Sequence, residues 1–178
     1  MRRMFCIALT FFLSLHLARA ADERTSTPQV ERGRGLFLKS PKGTACGTCH
    51  SMAGLGMAVG PDLKTLASVV GPRGLVSAIE MTVTAYVQEV ETNGGKFPGL
   101  VKEKRADRIE LWDLSQMPPV LRNMTSKQVV SMRSNRSWKH PPASAGYTSQ
   151  ELADLIGFLK WGATGSEVEV KAEDVASR

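Results

Sequence analysis

Cys46-Gly47-Thr48-Cys49-His50 packs two of the chain's three cysteines and one of its three histidines into five residues. The pattern C-x-x-C-H reads as a covalent haem attachment site. The chemistry sets the spacing. Each thiol can form a thioether to one of the two vinyl groups on a haem edge. The histidine that follows then lies under the ring and can bind the iron axially. Cys46 and Cys49 are the expected tethers, and His50 the expected proximal iron ligand.

Working outward, the first twenty residues read as a secretory signal peptide. Arg2 and Arg3 form a charged start, Met4 to Leu17 an apolar run, and Ala18-Arg19-Ala20 an A-x-A cleavage signal. The apolar run is short for a membrane span, and no later segment is long and apolar enough to cross a bilayer. A periplasmic or secreted protein without a stable membrane span is expected. Cleavage removes Cys6 and His16, so the mature chain keeps only Cys46, Cys49, His50 and His140. It also removes Arg2, Arg3 and Arg19, which contribute three positive charges to the formal +6. Much of the basic character belongs to the export signal, and nucleic-acid binding is not argued from it.

The rest of the chain suits one domain with its own core. Residues 21–28 read as a polar, flexible lead-in. Residues 29–39 can form a helix with Val30, Gly33, Leu36 and Phe37 on one side, Gly33 allowing close approach of a second backbone. Residues 53–63 are glycine-rich and read as a loop. Helical spacing returns over 73–85. The middle then alternates as strands do over 86–92, 97–101, 108–114 and 120–124, with Asn93-Gly94-Gly95 as a tight-turn signal. Thr148 and Glu151 form a capping box ahead of a helix with Leu152, Leu155, Ile156 and Leu159 on its apolar stripe. Residues 163–178 read as a polar, mobile tail.

Three other chemistries fit parts of the Cys46–His50 motif. A thioredoxin-like dithiol belongs near a βαβ pattern with its first cysteine at a helix N-terminus. A zinc site of Cys46, Cys49, His50 and His140 has the right ligand count, although structural zinc ligands are seldom sequence neighbours. A 46–49 disulfide would close too small a loop to contribute much.

Gly33 and Phe37, the Cys46–His50 motif, Gly60-Pro61-Asp62-Leu63 and the closing helix from Thr148 to Leu159 together resemble class I c-type cytochromes. The resemblance covers roughly 29–72 and 137–161. It implies a mainly α, cytochrome c-like fold around one haem, with a small antiparallel β insertion at about 86–124 (α+β overall) inside a domain spanning 29–162. That insertion resembles the larger haem-binding domains of secreted planctomycete and acidobacterial proteins. The resemblance also implies a contact of the first and last helices at Gly33 and Phe37, and a carbonyl from Pro61 to the proximal His50. Such a bond fixes the imidazole tautomer. The family usually places a methionine, often followed by proline, before the last helix. Here Ser137-Trp138-Lys139-His140-Pro141-Pro142 stands there, so His140 is the expected distal iron ligand. Met117 (in Met117-Pro118-Pro119) and Met132 are the runners-up. Trp138, Tyr147 and Trp161 are candidates to cover the site, and Arg133, Arg136 and Lys139 to pair with haem carboxylates or meet a partner.

The expected function is one-electron transfer by an exported monohaem cytochrome carrying covalent haem c, with no enzymatic activity of its own. Its partners would be redox proteins, such as a secreted dehydrogenase or a terminal oxidase. The alternative is a haem enzyme or small-ligand sensor whose sixth position is open.

Overall fold

The computed structural model describes residues 26–41, 43–141 and 146–176. The segment read as a signal peptide, most of the expected lead-in, and Pro142 fall outside the described residues. Helix α1 (Pro28–Leu38) starts on an N-cap from Thr27 with Pro28 in its first turn. A single 3₁₀ turn (Cys46–Thr48) and a two-residue hairpin, β1 (Ser51–Met52) with β2 (Leu55–Gly56), follow. Helices α2 (Leu63–Val69) and α3 (Pro72–Glu80) come next. Five antiparallel strands, β3 (Gln88–Thr92), β4 (Gly95–Lys104), β5 (Arg108–Asp113), β6 (Val120–Thr125) and β7 (Val129–Ser134), form one sheet in the order β6-β5-β4-β3-β7. Helices α4 (Ser149–Thr164) and α5 (Ala172–Val175) close the described chain.

The expectation of a mainly α, cytochrome c-like fold is overturned. Of the described residues 34% are helical and 27% are in strands, with the five-stranded sheet as a second body of structure beside the helices: an α+β fold. The sheet has its own apolar centre at Val90, Phe97, Ile109 and Leu111. Met124 from β6 and Val129 and Met132 from β7 pack against that same centre, so the two edge strands curl toward each other. Alternation along the strands gives the sheet a second apolar face, because neighbouring residues point to opposite sides. Val101 and Leu111 face the sheet's own centre, whereas their neighbours Leu100 and Trp112 face a separate cluster with Val59, Val87, Leu114, Trp138 and Cys49. The sheet thus supplies a wall to the cysteine motif.

The helical body forms around α1 and α4. A Cβ on Gly33 would lie 2.0 Å from the Asp154 carbonyl oxygen, and one turn on the Phe37 and Phe158 rings meet at 5.3 Å between centroids. The capping box of Thr148 and Glu151 opens α4, and Gly165 ends it with φ of 73°. The tail expected to be mobile instead packs. Val170 and Val175 are buried, and the Gln29 side chain holds Val170 at both its carbonyl (2.7 Å) and its N–H (3.1 Å).

Asp154, only 3% exposed, ties α1 to α4. Its carboxylate accepts from Arg32 Nε (2.7 Å) and Nη2 (3.0 Å), Gln150 (3.1 Å) and Gln29 (3.4 Å). Burial pushes this carboxyl up, but the donated hydrogen bonds and the Arg32 charge outweigh it and hold the group below the usual aspartate range. A folded-state value below the unfolded one, about 3.9, means stability that is complete above that pH and lost as pH falls through the folded value. Asp154→Asn is expected to lower stability at pH 7 by roughly 1–3 kcal/mol and to flatten the acid-side decline of the urea midpoint. Identical midpoints at pH 7 would remove Asp154 from this role.

Candidate haem site

The cysteine motif is wound locally by its own backbone. The Cys49 and His50 N–H groups both donate to the Cys46 carbonyl, at 3.1 and 2.8 Å, so the two cysteines and the histidine share one tight turn. The following loop folds back: Met57 N–H donates to Gly47 (3.0 Å), and Val59 and Gly60 N–H both donate to the Cys49 carbonyl (3.0 and 2.7 Å). Gly60 is needed at its position, since a Cβ there would stand 2.6 Å from the His50 ring carbon Cε1.

His50 Nδ1 donates to the Pro61 carbonyl at 2.8 Å, the contact the resemblance implies. A carbonyl only accepts, so Nδ1 carries the proton and Nε2 keeps its lone pair, the form of imidazole that binds a metal. Burial pushes the His50 pKa below its ordinary value and His140 adds to that, against the opposing bond to Pro61.

His140 reaches the same place from the far end of the sequence. Its backbone N–H donates to the Thr82 carbonyl at 2.7 Å, and Val83 bridges to Lys139 in antiparallel fashion. The ring Nδ1 donates to the Pro141 carbonyl at 2.7 Å, again leaving Nε2 as the free nitrogen. Trp138 stands edge-on to the ring, with centroids 6.3 Å apart at 84°. The segment that pins His140 was expected to be helical over 73–85. Instead α3 ends at Glu80, and Thr82, Val83 and Thr84 run extended. Three consecutive β-branched residues disfavour helix, which was the signal available in the sequence.

The His50 and His140 ring centroids lie 6.0 Å apart, with planes tilted by 44°. A metal between two imidazoles needs about 2 Å to each nitrogen. A ring centre lies about 1 Å behind its nitrogen, so such a pair is separated by about 6 Å between centres. The two rings stand at the spacing one shared metal requires, each with Nδ1 tied to a carbonyl. Met117 and Met132 are placed elsewhere. Met117 is exposed in the β5–β6 connection, and Met132 packs against the sheet's centre.

The thiols of Cys46 and Cys49 are free and half-buried. Burial pushes Cys46 up to about 11 and Cys49 in the same direction. A redox dithiol needs the opposite shift, and Cys46 heads a three-residue 3₁₀ turn instead of a helix whose dipole would favour a thiolate. Among the described residues no three His, Cys, Asp or Glu side chains come together to hold a bare ion, so the four-ligand zinc arrangement is not assembled.

Of the aromatic candidates, only Trp138 adjoins the histidine pair directly. Tyr147 packs on the helical core with its hydroxyl toward the Leu36 carbonyl (3.5 Å), and Trp161 is buried there under Arg34. Arg133 is engaged with Glu89 on the sheet, at 3.1 Å. Arg136 and Lys139 are exposed. Among the described residues, no helix is long and apolar enough to cross a membrane. In comparison with known proteins, no family model and no curated sequence matches the chain.

Proposed function

We propose that the chain is an exported protein carrying one covalent haem c and passing one electron at a time between redox proteins. The observation that carries this reading is the His50–His140 pair, 6.0 Å between ring centres, with His50 in the same tight turn as Cys46 and Cys49. The haem, when bound, supplies the one-electron couple at its iron, and the protein supplies attachment, ligands and surroundings.

Each residue has a part. Cys46 and Cys49 tether the group by thioethers. His50 and His140 would hold the iron through Nε2, with the Pro61 and Pro141 carbonyls fixing their tautomers and raising their basicity. Val59, Val87, Leu114 and Trp138, packed around Cys49, exclude water on the sheet side. Two protein ligands leave no place for a substrate, which favours electron transfer over oxygen chemistry. Two imidazoles also hold the potential below that of a histidine–methionine pair.

The test is an absorption spectrum of the exported protein, made with haem-maturation machinery, in wild type and in His140→Ala. Wild type is expected to show sharp reduced c-type bands, no deep-red methionine–iron band when oxidised, and no fast carbon monoxide binding. His140→Ala is expected to lose the low-spin spectrum and to bind carbon monoxide rapidly once reduced. A wild type that binds carbon monoxide at once would favour an open-site enzyme or sensor. A deep-red band in wild type would assign the sixth ligand to a methionine, and a colourless protein would overturn the proposal.

A further inference from the structure

Four buried side-chain polar atoms lack a partner among the described residues: Arg34 Nε, Thr84 Oγ1, Gln88 Oε1 and Trp161 Nε1. Arg34 and Trp161 lie against one another, the guanidinium 5.7 Å from the indole centroid, in the helical body. Gln88 is two residues from Val90 on β3 and so shares the side of the sheet that faces the sheet's own centre. Thr84 belongs to a different place.

Thr84 is 7% exposed, whereas Val83 before it is 57% exposed and Ala85 after it is exposed. The antiparallel bridge fixes its direction. Val83 pairs with Lys139, and both are exposed, so that face of the bridge looks outward. In the same register Thr84 lies opposite Trp138, and Thr82 opposite His140. Thr82 is exposed, whereas Thr84 is buried on the side of the bridge that carries half-buried Trp138 and His140. A buried hydroxyl left without a partner forfeits the hydrogen bond it would make to water. This one is held on the inner face of the segment that also holds His140.

We infer that Thr84 is a further haem-contacting residue, its hydroxyl donating a hydrogen bond to a peripheral carboxylate of the haem. The inference rests on the haem reading above. His50 and His140 would be the residues that hold the iron, so the carboxylates are the acceptors the group would still offer. A donor there stabilises the ionised carboxylate and lowers its pKa.

Haem-loaded wild type is compared with Thr84→Val, which keeps the shape and removes the donor, and with Thr84→Ser, which keeps the donor. Two readouts are taken: the haem carboxylate bending band in resonance Raman spectra, and the pH dependence of the reduction potential. Thr84→Val is expected to shift the band and to raise the carboxylate's proton affinity about tenfold, moving the acid-side step of the potential up by about one pH unit. Thr84→Ser should keep both near wild type. Should the valine variant fail to load haem, Thr84→Ala serves the same comparison. A loaded donor-less variant that matches wild type in both readouts would overturn the inference, as would a serine variant displaced as far as the valine one. A wild type without haem would instead overturn the underlying reading.

Discussion

Gly33→Ala is expected to destabilise the protein by roughly 2–4 kcal/mol, one of the largest effects available to a single methyl group here. The added Cβ would lie 2.0 Å from the Asp154 carbonyl oxygen and 2.7 Å from the Phe158 Cβ. The first of these is backbone in the middle of α4 and cannot rotate aside, so the two helices must separate. Separation loosens the Phe37–Phe158 contact and the Arg32–Asp154 pair, which bridge the same crossing. Helix propensity works the other way, favouring alanine by about 1 kcal/mol, so the observed loss is what remains after that gain. Gly35, two residues on, supplies the control. A Cβ there meets nothing within 4 Å, and Gly35→Ala is expected to stabilise by about 0.5–1 kcal/mol. Paired urea melts decide the matter. Equal and positive effects at the two sites would mean that the crossing is not as tight as drawn.

That crossing illustrates what the sequence makes legible. Gly33 and Phe37 share a helix face by spacing alone, and Thr148 with Glu151 marks the start of α4 three residues apart, so local rules suffice. The histidine pair was approachable for a different reason. Beyond residue 20, His50 and His140 are the only histidines, and a site needing two there can draw on nothing else.

The sheet was harder to read. Its last strand, β7, shows no clean alternation, because the pairing with β3 shifts register between Glu91 and Thr92. Without β7 the segment looks like a small insertion, and the chain like a mainly helical one. The curl that brings Met124 and Met132 into one centre depends on pairings far apart in sequence, which no local window contains. The tail misled for a similar reason. Glu167, Val168 and Glu169 look solvated, and Val168 and its neighbours are exposed, but Val170 is captured by Gln29, 141 residues away. The helix expected to run to residue 85 stops at Glu80 because Thr82–Thr84 find a partner segment in Lys139 and His140. The same tertiary pairing both breaks the helix and pins the candidate ligand.

The double variant Cys46→Ser, Cys49→Ser is expected to abolish covalent haem altogether. Serine preserves size and the tight turn, in which the Cys46 carbonyl accepts from Cys49 and His50, so the change is confined to sulfur chemistry. Haem would then stay with the protein only through His50 and His140, and acid–acetone extraction should strip it, leaving no haem stain on a denaturing gel. Each single variant should retain one thioether and shift the reduced absorption band. The comparison also separates the readings left open by the motif. A protein working as a dithiol would lose reversible thiol reactivity in the double variant and would never have carried a haem stain. Stability should follow the cofactor as well, since anything bound tightly to the folded state alone raises the unfolding midpoint by mass action. Loaded wild type is therefore expected to melt well above the double variant. The gap should close when wild type is made without haem-maturation machinery. If it stays open, the serines themselves have damaged the turn, and the stain alone must carry the argument. If wild type carries no stain, the histidine pair is not an iron site and the proposed function falls.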